Sequence, residues 1–326
     1  MLNFILALHL LVSVSFGQTI TPPHPAPAPK KAPLPGLPQK FQSNTSQQPW
    51  LGGCGSCEGG PNGINLMDQF ATFLGRSLDY VLVWGWAPDK GQMEYWAKNR
   101  IELWPSRYKI LWSVPLIIKG MTFADCYNGK FDSTYTIVAK TIADRDANAV
   151  IRMGHEMNGN WYDWGIKGPA GSDKEFGKCF AHVATVMRKA APGFKFVWNP
   201  GIGIWGGLDP LPAYPGDEFV DYVSLDLYED SKYVKGTPDE RWKHFLTTEG
   251  RGLDFWSGFA QGHHKPMAFD EWGSNYDDGV LITHMAEWMK GHNVHHQMYW
   301  NSEAAFSGSF EKHPNNGRIY KQLFGK

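Results

Sequence analysis

The chain has 326 residues, 42% of them hydrophobic and 19% charged, with 31 Lys and Arg against 32 Asp and Glu. A formal net charge of −1 gives no electrostatic pull toward nucleic acid or an anionic membrane surface, so a neutral ligand fits the balance better. Aromatic residues make up 14% and include 15 Trp, more than a core of this size requires. Flat apolar faces rimmed by polar groups suit stacking on sugar rings.

The first segment, residues 1–17, reads as a signal peptide. Leu2 to Phe16 is apolar, and Ser15 and Gly17 have the small-residue spacing of a signal-peptidase site, so cleavage is expected before Gln18 and the mature protein is expected to be secreted and extracellular. A membrane anchor is disfavoured, because the apolar stretch falls short of the roughly 20 residues that span hydrocarbon. Residues 18–48 are dominated by proline and read as a disordered linker without a core of its own. This linker holds Asn44-Thr45-Ser46, an N-glycosylation acceptor if the secretory route is eukaryotic.

Residues 49–326 are close in length to the roughly 250 residues of one (β/α)8 barrel. Strand-like runs are predicted at Tyr80 to Trp84, Lys109 to Leu116, Ala149 to Met153, Phe194 to Trp198, Tyr222 to Leu227, Pro266 to Phe269 and His296 to Trp300. An eighth, weaker strand is placed near Trp50 to Cys54. Amphipathic stretches such as Asp173 to Ala190 lie between the runs, and this alternation predicts a parallel sheet covered on both faces. A closed TIM barrel is favoured over an open doubly wound sheet. Polar or aromatic residues cluster just after nearly every run, and in a barrel those ends converge on one rim.

Two carboxylates stand out on that rim. Glu156 lies three residues past the fourth strand in "RMGHEMNGNWYDWG", and Glu271 follows the seventh in "PMAFDEWGSN". A buried carboxylate costs several kcal/mol unless something exploits it. Two carboxylates flanking a sugar bond are what a retaining glycosidase needs: one protonates the leaving oxygen and the other attacks the anomeric carbon. Their environments must differ, so that one keeps its proton while the other stays ionised.

These residues carry a family resemblance. "HEMNGNWYDWG" resembles the acid/base signature of glycoside hydrolase family 26, in which a His precedes the Glu and Gly159, Trp161, Trp164 and Gly165 fall at the family's spacing. "YPGDEFVDYVSLDLY" is similar to the family's sixth-strand segment, and "FDEWG" to its nucleophile strand end. The resemblance implies a (β/α)8 fold with Glu156 as general acid/base and Glu271 as nucleophile. It also implies that Tyr228 hydrogen-bonds the nucleophile.

Beside these, His155 is expected to position the carboxylates or tune their proton affinity. Trp300, at the end of the last strand, is a candidate platform beneath the sugar, with Trp84, Trp86, Trp112, Trp161 and Trp164 as further candidates. Arg152 and Asn199 are candidates for binding hydroxyls. Asp226 and Asp270 are expected to turn toward the barrel wall or stand behind the reacting pair.

Other motifs carry less. His155-Glu156 lacks the second His that a zinc-protease helix requires, since position 159 is Gly, so no metal or cofactor is expected. "HNVHH" (residues 292–296) reads as a solvated loop leading into a strand. The four Cys allow three connectivities, with Cys54–Cys57 and Cys126–Cys179 favoured. The resulting expectation is a secreted, monomeric, retaining endo-glycosidase acting on a β-linked polysaccharide, β-1,4-mannan first. A β-1,3-1,4-glucanase, endoglucanase or β-1,3-xylanase is the alternative, and an inactive carbohydrate-binding barrel is the non-enzyme alternative.

Overall fold

A computed structural model describes residues 50–54, 61–85, 87–167 and 172–326. The expected signal peptide, linker, glycosylation site, Trp86 and the Cys54–Cys57 pairing lie outside the described residues.

Eight parallel strands close on themselves in sequence order. They are β1 (Trp50–Cys54), β2 (Tyr80–Trp84), β3 (Lys109–Val114), β4 (Val150–Met153), β5 (Lys195–Trp198), β6 (Tyr222–Glu229), β7 (Met267–Ser274) and β8 (Val294–Trp300). Closure is made by β1 against β8, with Gly53 opposite Tyr299. The predicted (β/α)8 barrel is therefore present, including its weak first strand.

Two strands differ from expectation in ways that matter at the site. β7 runs on to Ser274, so Glu271 lies inside the strand instead of after it. β8 starts at Val294, two residues before the expected His296, which brings His295 into the sheet as well. His296 is fully buried, and its Nε2 lies 2.7 Å from Asp270 Oδ1. The solvated-loop expectation for that end of "HNVHH" is corrected. A buried carboxylate supplies the partner that sequence neighbours lack.

Strand alternation separates two cores. Residues such as Trp112, Ile151, Leu225, Leu227 and Phe269 face outward into a layer shared with the helices. Tyr80, Leu82, Leu111, Val150, Val197 and Met298 face inward and fill the barrel. Gly52 leaves room for one of them, since a Cβ at that position would stand 1.9 Å from Met298 Sδ. Higher along the same inward rows the side chains become polar: Ser113, Arg152, Asn199, Asp226 and Asp270, all buried.

Helices α1 (Pro61–Leu74), α2 (Lys90–Leu103), α3 (Phe123–Tyr127), α4 (Asp132–Arg145), α5 (Ser172–Ala190), α6 (Pro238–Thr247), α7 (Leu253–Gly262), α8 (Val280–Gly291) and α9 (Pro314–Phe324) cover the outside. α5 (Ser172–Ala190) buries Phe176, Phe180, Val183 and Met187, a spacing of three to four residues that keeps one face on the barrel. The short α3 (Phe123–Tyr127) begins with a capping box between Thr122 and Asp125. It is joined to α5 by the Cys126–Cys179 disulfide, with Cα atoms 5.6 Å apart.

Candidate active site

The turn after β4 is built around two left-handed residues. Gly154 has φ 56°, and a Cβ there would lie 2.9 Å from Leu116 Cβ, so only glycine fits without displacement. Two residues on, Glu156 itself has φ 50°. A non-glycine residue in this region costs of order 1–3 kcal/mol and persists only where its surroundings hold it. Here the Glu156 amide donates to Asn199 O at 2.8 Å, and its carbonyl accepts from the Gly159 amide at 2.8 Å. This backbone places the Glu156 carboxyl in the rim cleft.

Glu156 and Glu271 line one cleft of about 670 Å³. Strand order brings together two residues far apart in the chain. Their surroundings differ sharply. Glu156 accepts one hydrogen bond, from Trp161 Nε1 at 2.8 Å. Burial, and then the neighbouring charge of Glu271, raise its pKa to about 7 against the opposing pull of Arg152 and Trp161. Glu271 instead accepts from three donors: Arg152 Nη1 at 2.6 Å, the Tyr228 hydroxyl at 2.5 Å and Trp84 Nε1 at 3.2 Å. Such convergence suits an anion. Burial, reinforced by Glu271, pushes the Tyr228 phenol well above its ordinary range, so it remains a proton donor.

Beneath the pair lies a buried charged cluster. Arg152 donates from Nε to Asn199 Oδ1 at 2.5 Å and from Nη2 to Asp226, and its Nε is 3.6 Å from Asp270 Oδ2. Burial opposes the guanidinium charge, but the surrounding carboxylates outweigh it. Asp226 is pushed well above the usual carboxylate range by burial in spite of Arg152. One cation among three buried acids accounts for both directions. Arg152 and Asn199 are fully buried, which corrects the expectation that they bind sugar hydroxyls. They hold Glu271 and the Glu156 turn in place.

The remaining expected residues divide. Trp84, Trp161, Tyr228 and Trp300 line the cleft with the two Glu. Trp300 is fully buried, edge-on to Tyr228 with ring centres 5.9 Å apart and donating from Nε1 to Phe306 O, so it backs the cleft and the expectation of a platform is corrected. Trp164 is buried, stacks on Tyr162 at 4.5 Å and donates to His155 O at 2.7 Å, so it packs the turn and offers no platform. Trp112 is fully buried against Trp96 on the outer face of β3. His155 places Nδ1 3.0 Å from Ser113 Oγ, and its ring packs among Trp84, Tyr162 and Trp164. Burial, then Arg152, lower its pKa well below the ordinary value, so it is a neutral imidazole. Asp226 and Asp270 stand behind the reacting pair. Among the described residues no group of three or more His, Cys, Asp or Glu is placed to hold a metal ion.

Sequence reasoning did not single out Trp205, Tyr233, His244, Glu249 and Phe306, which also line the cleft. Trp205 lies in the glycine-rich "GIGIWGG", and that loop was the available signal.

Fold and site together define a (β/α)8 barrel with a paired-carboxylate cleft at the carboxyl ends of its strands. Within that class, residues 126–240 match the family model of glycosyl hydrolase family 26, which spans the acid signature and the Tyr228 strand. The resemblance carried by the sequence motifs is thus found independently.

Two relatives are similar over parts of the chain. Endoglucanase H of Acetivibrio thermocellus is 32% identical over 108 residues, 32% of this chain and 12% of that protein. A mannan endo-1,4-beta-mannosidase of Bifidobacterium adolescentis is 27% identical over 210 residues, 56% of this chain and 19% of that protein. The chain therefore spans less than a fifth of each relative's length.

Among solved structures, the catalytic domain of a GH26 endo-beta-1,4-mannanase from Bacillus sp. JAMB-750 aligns with a TM-score of 0.60 at 17% identity, covering 86% of this chain and 87% of that one. A beta-mannanase from a symbiotic protist of the termite Reticulitermes speratus aligns with a TM-score of 0.56 at 16% identity, covering 85% and 87%. At these identities the likeness is one of fold.

Proposed function

We propose that the protein is a secreted, monomeric glycoside hydrolase that cleaves β-1,4-mannan internally with retention of configuration. The observation that carries this reading is the shared cleft, in which Glu156 sits where its proton is kept and three donors converge on the Glu271 carboxyl. In the first step Glu156 gives its proton to the leaving oxygen while Glu271 attacks the anomeric carbon, forming a glycosyl–enzyme ester. In the second, Glu156 takes a proton from water, which displaces Glu271. Tyr228 and Arg152 hold the nucleophile's oxygens throughout, and Trp84 offers a face to the sugar at the cleaved bond.

Similarity to a protein called Endoglucanase H favours a second reading, a β-glucan substrate cleaved by the same steps. A panel of purified mannans, glucans and xylans separates the two by product mass and linkage. The chemistry is tested with Glu156→Gln and Glu271→Gln, each expected to stay folded and to lose on the order of 10²–10⁴ in turnover. Wild-type rates in both variants, or inversion at the anomeric carbon seen by NMR, would refute the mechanism. Release of reducing sugar from any soluble polysaccharide excludes an inactive binding barrel.

A further inference from the structure

Consecutive residues of an undisturbed strand point to opposite faces of its sheet. The register of β7 against β8 shifts between Phe269 and Trp272, and there Asp270 and Glu271 both turn inward to Arg152. Asp270 is fully buried, and the two glycosidase steps give it no part. Its Oδ2 accepts no hydrogen bond among the described residues. Its Oδ1 begins a hydrogen-bonded chain that leads away from the cleft.

Asp270 Oδ1 lies 2.7 Å from His296 Nε2, His296 Nδ1 lies 2.8 Å from His295 Nδ1, and His295 Nε2 lies 3.3 Å from the Tyr222 hydroxyl. Asp270 and His296 are fully buried, whereas His295 and Tyr222, at the amino-terminal ends of β8 and β6, are half-buried. The chain therefore runs from the cluster under the nucleophile to the end of the barrel opposite the cleft. Tyr80 packs beside it, with its ring centre 5.9 Å from that of His296. The charges acting on that end are acidic: Asp79 and Asp146 on Tyr80, and Asp221 on Tyr222.

Two facing Nδ1 atoms need one hydrogen between them, so the two rings hold complementary tautomers. With Asp270 ionised, Tyr222 donates to His295, His295 to His296, and His296 to the carboxylate. With Asp270 protonated, every bond in the chain reverses. Both arrangements keep the rings neutral and give each donor in the chain an acceptor, and they differ by one proton on the carboxyl. Burial, and then His296, lower the His295 pKa to about 4, in keeping with a neutral ring.

We propose that His296 and His295 form a proton path joining the acids beneath Glu271 to solvent at the end of the barrel opposite the cleft. This rests on the glycosidase reading, which supplies the need for it. Glu271 is charged in the free protein and uncharged in the glycosyl ester. Burial, and then the charge of Glu271 working against Arg152, raise the proton affinity of Asp226, and in so close a group of acids the proton belongs to the set. Ester formation removes the Glu271 charge and frees that proton while the bound sugar covers the rim. The proton passes from Asp270 to His296 Nε2, the Nδ1 proton of His296 passes to His295 Nδ1, and the Nε2 proton of His295 leaves to water. Hydrolysis of the ester restores the charge and draws one proton back by the reverse route.

The test uses Glu156→Gln with 2,4-dinitrophenyl β-mannobioside, or the cellobioside if glucan is the substrate. The ester forms without an acid and persists for want of a base. Dinitrophenol leaves as its anion and takes no proton, so a proton released with the burst comes from the protein. Stopped-flow absorbance follows the phenolate, and an indicator dye in weak buffer at pH 7 follows the proton. About one proton per phenolate is expected, at the rate of the burst. Adding His296→Gln or His295→Gln should leave the phenolate burst within about twofold and delay the proton about tenfold or more, whereas a merely structural role would slow both together. His295 is half-buried, so His295→Gln decides the matter if His296→Gln fails to fold. A burst without a proton, or a proton that keeps pace with the burst in the folded histidine variants, overturns the path and leaves the glycosidase reading standing. No phenolate release by either the wild type or Glu156→Gln overturns both.

Discussion

Glu156 must keep its proton at a pH where an exposed carboxyl has lost it, and the structure achieves this by burial and by the adjacent charge of Glu271. Its pKa rises from the ordinary 4.5 to about 7 on folding, so the native state binds the extra proton. The stabilising contribution is complete below pH 4.5 and is lost as the pH climbs through 7. Glu156→Gln cannot ionise and escapes that loss. Urea unfolding at pH 5 and pH 8 should therefore show the variant gaining roughly 3 kcal/mol over wild type at the higher pH. In the active protein the same proton sets the alkaline limb, and kcat/KM should decline above about pH 7. A stability difference independent of pH would show that burial is not the cause.

At the level of elements, Cys126 and Cys179 pin the five-residue α3 to the 19-residue α5 across 53 positions. Constraining a loop of that length in the unfolded chain contributes about 4 kcal/mol. Replacing both cysteines by alanine should lower the denaturant midpoint accordingly, with little change in kcat because neither residue lines the cleft. The strands were legible in the sequence where apolar runs were unbroken, as in Tyr80–Trp84 and Lys109–Val114. β7 was truncated in prediction because "DEW" breaks the apolar pattern. It continues as strand because Arg152, Tyr228 and His296 receive those charges from other strands. No local pattern encodes partners that lie 43 and 119 residues away.

Across the whole molecule, barrel closure decides which residues meet. Glu156, Glu271, Tyr228, Trp84 and Trp300 could be placed on one rim from strand order alone. The buried side chains of Arg152 and Asn199 could not be told from ligand-binding ones, because burial depends on neighbours drawn from β6, β7 and the end of β5. Tyr233 and Glu249 were silent for the same reason, since their loops converge only after the sheet closes.

The tightly filled lower half of the barrel has one more effect. Tyr80, Leu82, Leu111, Val150, Val197 and Met298 stop the interior like a cork below the ionic group around Arg152, whose side chains are themselves buried away from bulk solvent. Dissolved salt screens charges that water can reach and scarcely touches those it cannot. With a neutral glycan and a net charge of −1 there is little long-range attraction to attenuate either. Turnover should stay within about twofold between 0.05 and 1 M sodium chloride, a tolerance built from hydrocarbon rather than from surface charge.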